Sequence, residues 1–195
     1  MLVSDRRRLA ARSLAEVARE AAAAGVDDIQ IREKDLDGRA LLALVREVKA
    51  ATAGTAARLI VNGRADVALA AALGAVQLPE DGLPVAEVKR AFPGLEVGAS
   101  RHSTDGVRQA ADDGADFVVF GPVFATPGKE AHACGLQALS AAAHAVNVPV
   151  YAVGGIDHTR AREVVGAGAR GLALLRPFLE GSAAATVARL RAALA

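Results

Sequence analysis

Gln30, Arg32 and Lys34 fall at alternate positions in the run QIREKD. At that spacing an amide and two cations share one side of a strand and its continuation. Such a row suits a diphosphate or a carboxylate. The plainer alternative is a strand exit solvated by its charges. Glu33, between them, is expected to face the other way, toward the helices. A second candidate is FVVFGPVFATPGK, residues 117–129, where a buried apolar run leads into a loop carrying Thr126, Gly128 and Lys129. A hydroxyl, a glycine and a cation after a strand are a common way to present anion ligands. Gly154-Gly155 and Leu175-Arg176 offer backbone N–H groups to a phosphate. A tight turn needing positive φ would explain the glycine pair equally well. Glu80 and Asp81 could hold Mg²⁺ through a carboxylate, or simply solvate a turn before Gly82. His102, two residues after Ser100, and His132, near Cys134, carry groups able to move a proton near neutral pH. Loop histidines are more often only solvated. His144 reads as helix surface and Cys134 as a small apolar loop residue. No Ser-His-Asp or metal-histidine spacing appears.

Strand-like runs at residues 1–3, 28–32, 59–61, 75–78, 95–100, 117–120, 148–153 and 171–175 would position these groups. Each is followed by a helical pattern: 14–24, 38–52, 64–73, 85–92, 104–113, 136–146, 160–167 and 183–194. Ser13, Asp37 and Thr104 are the cap candidates. The joints AAGVDD, ALGA, DDGAD and GAGAR share one plan: a helix ends, a glycine takes the left-handed position, and a strand begins. Eight strand-then-helix units with short returns and longer outward loops describe an α/β protein, a compact single-domain (β/α)₈ TIM barrel over 1–195. An open doubly wound sheet is the alternative. At 195 residues the barrel must carry minimal decoration. In a closed barrel, function belongs at the strand exits. Arg32, Lys34, Asn62, Gln77, Glu80, Asp81, Ser100, His102, Thr126, Lys129, Gly154, Gly155 and Arg176 all fall there, while the opposite turns hold mostly Gly, Ala and Asp.

Hydrophobic residues are 52% and aromatics 3%, so the core must be built from Ala, Val and Leu. The formal net charge is +1 and no basic run stands out. Neither nucleic acid nor a membrane surface is therefore expected as a partner. Cys134 is alone, which excludes a disulfide framework. The opening MLVSDRRR lacks the apolar core of a signal peptide, and no apolar run is long enough to span a membrane. A cytoplasmic protein is expected, and a homo-oligomer is compatible with the sequence.

QIREKD, VNGRADVAL, VQLPED, VGASRHS, FGPVFATPGK and AVGGI, in that order along the chain, resemble the thiamin phosphate synthase/TenI family. The resemblance implies a (β/α)₈ barrel that binds thiazole phosphate in thiamin biosynthesis. Synthases of that family join hydroxymethylpyrimidine diphosphate to thiazole phosphate and release diphosphate. The resemblance then implies diphosphate ligands at Gln30, Arg32, Lys34, Asn62 and Lys129, with hydroxyls at Ser100 and Thr126. It implies Mg²⁺ held by Asp81 and by a second Asp at the position of Gly63. Gly128 stands where a second hydroxyl is expected. The words NGRAD and VQLP, Gly63 included, look like the TenI branch, which includes a thiazole tautomerase. Its catalytic histidine would fall at Pro122, so His102 or the His132/Cys134 loop would have to move the proton. The reading taken from these words is a TenI-like thiazole phosphate binder with tautomerase-type chemistry, needing no cofactor. A Mg²⁺-using thiamin phosphate synthase is the alternative, and a catalytically idle regulatory barrel is the third.

Overall fold

In the computed structural model, which describes residues 1–9, 11–126 and 132–195, eight parallel strands pair in chain order. They are β1 (Leu2–Val3), β2 (Asp28–Ile31), β3 (Arg58–Asn62), β4 (Ala75–Leu78), β5 (Glu96–Arg101), β6 (Phe117–Phe120), β7 (Val150–Val153) and β8 (Gly171–Ala173). The sheet closes where the Val3 amide donates to Leu174 O at 2.8 Å and the Leu174 amide to Met1 O at 3.0 Å. The expected (β/α)₈ barrel is what forms, and the open sheet is ruled out.

The helices are α1 (Leu14–Ala23), α2 (Gly38–Ala51), α3 (Ala65–Ala70), α4 (Val85–Ala91), α5 (Thr104–Asp112), α6 (Gly135–His144), α7 (Ala161–Gly166), α8 (Arg176–Leu179) and α9 (Ala183–Leu194). Ser13 and Glu16 form a capping box on α1, and Asp37 accepts from the Ala40 amide on α2. The α5 cap is Ser103, not Thr104: its hydroxyl accepts from the Gly106 amide, and Thr104 is already helical. α8, a single turn after β8, was not anticipated, because RPFL carries no helical periodicity.

Two cores result. The larger lies between strands and helices. There α2 buries Leu41, Val45 and Val48, each worth about 2 kcal/mol. The smaller fills the lumen with Met1, Val3, Ile60, Ala75, Phe117, Val119 and Ala173. Below it, charge enters the barrel. Arg58 grips Asp28 at 2.7 Å and pairs with Glu96, and its guanidinium lies 5.1 Å from the Phe117 ring centroid. These charges begin β2, β3 and β5, so the lower end is more polar than its Gly/Ala/Asp turns suggest. Opposite charges paired at a narrow barrel floor satisfy one another.

Three of the four helix-to-strand joints follow the expected plan. Gly25, Gly114 and Gly168 have positive φ, and the next residue's amide reaches back to the helix, as Val26 does to Ala21 O at 3.0 Å. The fourth differs. Ala72, not Gly74, takes the left-handed position, at φ +51°, while the Leu73 amide bonds Ala68 O at 2.8 Å. The backbone motif is the same, so the alanine carries the strain.

Candidate active site

The β2 exit is anchored from the neighbouring β1 exit. Glu33 is buried, and not toward the outer helices. Its carboxylate accepts from the Ser4 hydroxyl at 2.5 Å, from the Arg6 amide at 3.0 Å and from Arg6 Nη1 at 3.1 Å. The Ser4 oxygen in turn accepts from the Arg32 amide at 2.9 Å. Arg6 also makes two 2.7 Å bonds to Asp35, and that partner holds the Asp35 carboxyl down at about 2. Arg6–Arg8 is a basic run after all, folded as one 3₁₀ turn. Its charges are matched by Asp5, Glu33, Asp35 and Glu180. The effect is to fix the backbone of residues 32–35, with Gln30 in the lumen, Arg32 half-buried and Lys34 exposed. Sequence reasoning saw Gln30, Arg32 and Lys34 but missed the Ser4, Arg6, Glu33 and Asp35 support. The SDRRR cluster facing QIREKD was the signal.

Asn62, Gln77 and Ser100 meet at the next three exits. Asn62 pairs in register with Gln77, and Gln77 Nε2 donates to Ser100 Oγ at 2.9 Å. His102 is held at both ring nitrogens. Nδ1 meets the Gly121 carbonyl, and Nε2 lies 3.3 Å from Glu80 Oε2. It therefore braces the β4, β5 and β6 exits together. Asp81 is exposed at the β4 exit and makes no hydrogen bond or ion pair among the described residues. Those residues contain no group of three His, Cys, Asp or Glu side chains able to cage a metal. A single free carboxylate still fits Mg²⁺ that arrives with phosphate oxygens and water in its shell.

The loop after β6 runs on beside β7. The Val123 amide donates to Val153 O at 2.8 Å and the Phe124 amide to Gly154 O at 3.1 Å. This explains Gly154-Gly155 in the first instance. A Cβ on Gly154 would sit 2.4 Å from Pro122 Cβ, and one on Gly155 would sit 2.7 Å from Phe124 Cβ. The glycine pair is thus a packing requirement as well as a turn, with φ +100° and +63°. Arg160 closes the seam: Nη1 donates to Gly155 O at 2.7 Å while the guanidinium stacks on Phe124. On the other side the amides of Gly155, Leu175 and Arg176 have no backbone acceptor among the described residues. Gly155 and Arg176 line a cavity of about 650 Å³, with His158, Thr186 and Arg189 and with the carboxylates Asp157 and Glu180. Its lining includes none of the β2–β6 exit residues.

Thr126 ends the described part of the loop, half-buried; Gly128 and Lys129 lie outside the described residues. His132 is exposed. Cys134 precedes α6, its amide donating to Pro122 O at 2.9 Å, and burial pushes its thiol pKa up. Pro122 is buried and offers no proton.

A (β/α)₈ barrel with polar groups gathered at the carboxyl ends of its strands has the architecture of a barrel enzyme. The chain belongs to the thiamine monophosphate synthase family, whose model matches residues 1–178. A putative thiamine-phosphate synthase of Geobacter sulfurreducens is 40% identical over 181 residues, covering 91% of this chain and 85% of that protein. The thiamine-phosphate synthase of Methanoculleus marisnigri is 41% identical, covering 92% and 87%. Among solved structures, the thiamine phosphate pyrophosphorylase from Pyrococcus furiosus superposes with a TM-score of 0.90 at 31% identity, covering 99% of this chain and 93% of that one. Membership places the chain among enzymes of thiamin biosynthesis. Among the described residues no helix is long and apolar enough to cross a membrane.

Proposed function

We propose that the chain is a thiamin phosphate synthase, joining hydroxymethylpyrimidine diphosphate to thiazole phosphate with release of diphosphate. The carrying observation is the division of the barrel mouth into two separate regions suited to anions. Side chains supply one, at the β2–β5 exits. Backbone amides with no acceptor among the described residues and Arg176 supply the other, at the β7–β8 exits. A reaction between a diphosphate and a phosphate ester needs two such places. The names of the similar proteins agree with this reading. It displaces the TenI-like tautomerase expected from NGRAD and VQLP. Pro122 offers no acid or base, and the His102 ring is engaged at both nitrogens.

In this reading Gln30, Arg32, Lys34, Asn62 and Lys129 hold the diphosphate, with Ser100 and Thr126 as hydroxyl ligands. Gly154, Gly155, Leu175 and Arg176 hold the thiazole phosphate. The carbon–oxygen bond to diphosphate breaks with its electron pair leaving on oxygen, and the thiazole nitrogen forms the new bond to the pyrimidine methylene carbon. The cations stabilise the charge that grows on the departing diphosphate. The two grips keep nitrogen and carbon within reach of each other. Asp81 would hold Mg²⁺, which when bound offsets diphosphate charge. The test supplies both substrates with Mg²⁺ and follows diphosphate and thiamin phosphate. Equal release of the two is expected. Their absence, with proton exchange on the thiazole carboxylate instead, would overturn the assignment.

A further inference from the structure

Gln77 is fully buried in the lumen, directly below the β5 exit, and its Oε1 has no hydrogen-bond donor among the described residues. The reason lies across the sheet. Gln77 pairs in register with Gly98, and Gly98 with Phe117. A Cβ on Gly98 would sit 2.3 Å from Gln77 Oε1, 2.3 Å from Phe117 Cζ and 2.4 Å from Cε2. The missing side chain thus leaves a slot shared by the amide oxygen and the edge of the ring. An aromatic edge is electropositive, and Arg58 over the face of this ring strengthens that polarity. The oxygen of the amide is favoured in the slot and its NH₂ disfavoured. The Nε2 end must then point up, where it donates to Ser100 Oγ at 2.9 Å.

This fixes the direction of the next hydrogen bond. An amide NH₂ only donates, so the Ser100 oxygen is an acceptor toward Gln77 and its own proton is free. Ser100 is half-exposed at the mouth, two residues beyond Gly98. We propose that Gln77 is a positioning residue, held by the Gly98 slot and the Phe117 edge, that makes the Ser100 hydroxyl a hydrogen-bond donor to an acceptor atom of the bound pyrimidine diphosphate. The inference rests on the synthase reading for its ligand.

The test is a double-mutant cycle on the dissociation constant of hydroxymethylpyrimidine diphosphate, measured by calorimetry, which needs no turnover. Ser100→Ala is expected to weaken binding about tenfold, one hydrogen bond's worth. Gln77→Glu keeps the shape and, once a raised assay pH has ionised its buried carboxyl, only accepts, so it turns the Ser100 proton inward. It should weaken binding by at least as much, and Ser100→Ala added to it should cost nothing further. Simple repulsion between a new carboxylate and the diphosphate would instead multiply with the loss from Ser100→Ala, and that result overturns the proposal. Gln77→Met, uncharged and of similar size, carries the test if the buried glutamate prevents folding. It frees the hydroxyl to rotate, and a loss of about threefold is expected, again absorbed by Ser100→Ala. Wild-type affinity in Gln77→Met, in ionised Gln77→Glu, or in Ser100→Ala also overturns the proposal. Failure of the wild-type protein to bind the ligand overturns the synthase reading along with it. Binding by wild type with losses that multiply overturns only the role of Gln77.

Discussion

The Arg160 guanidinium lies over the Phe124 ring, 4.4 Å from its centroid, while its Nη1 donates to Gly155 O. One exposed side chain therefore ties the loop after β6 to the exit of β7, between the two regions suited to anions. Arg160→Ala is expected to raise the KM for thiazole phosphate about tenfold and to cost about 1 kcal/mol of stability. Arg160→Lys keeps the charge but loses the planar fork and should fall between the two. Steady-state kinetics with each substrate varied in turn will check this. An equal rise for both substrates would argue against a local effect at β7.

Ala72 in the left-handed region is a stability defect that one substitution removes. Relief of the Cβ strain, roughly 1–2 kcal/mol, outweighs the extra unfolded-state freedom of glycine, roughly 0.4–1 kcal/mol. Ala72→Gly should therefore stabilise the protein by about 0.5–1 kcal/mol in urea unfolding. Gly114→Ala, at the equivalent joint, should destabilise it by a similar amount.

Asp35 supplies a pH prediction. Its carboxyl is lowered to about 2 by the hydrogen bonds from Arg6. A depressed folded-state value means that the contribution is present above the unfolded value, near 4, and is lost as pH falls toward about 2. In Arg6→Ala the Asp35 carboxyl should titrate near its ordinary value by NMR, and acid unfolding should begin at higher pH. An unmoved titration would show that Arg6 is not the cause.

Gly63 stands at the β3 exit, its amide bonded to Gln77 O at 2.7 Å, with φ +74°. A Cβ there would meet the Pro79 ring at ordinary contact distance, Cδ at 3.8 Å and Cγ at 4.0 Å. Space is therefore available, and aspartate tolerates the left-handed region better than most residues. Gly63→Asp should cost about 1 kcal/mol of stability. It should also lower the Mg²⁺ concentration needed for half-maximal diphosphate release several-fold, because it adds a second carboxylate at the mouth. A Mg²⁺ titration of both proteins decides it.

Much of this was legible beforehand. The order of strands and helices followed from period, caps and glycine joints, because those are local constraints written every few residues. The crowding of polar residues at the strand exits was legible for the same reason once eight units had been counted. The supporting groups were not. Glu33 reads in the sequence as a side chain facing the helices, and only the approach of β1 brings Ser4 and Arg6 to it, as β2 and β5 bring Asp28 and Glu96 to Arg58. Gly154-Gly155 looked like a phosphate approach, and the pressing neighbour proved to be the chain's own Pro122 and Phe124.

By itself, then, the sequence determined the closed alternation of strands and helices, the edge at which the polar groups collect, and the family. Those properties depend on residue type and short spacing. Only the tertiary structure decided what each polar group faces. It turned the His102 ring onto Gly121 and Glu80, buried Glu33 under Arg6, and laid Gln77 into the gap at Gly98. Each of these is a contact between residues far apart in the chain, whose direction is set by barrel register and by the space a neighbouring strand leaves.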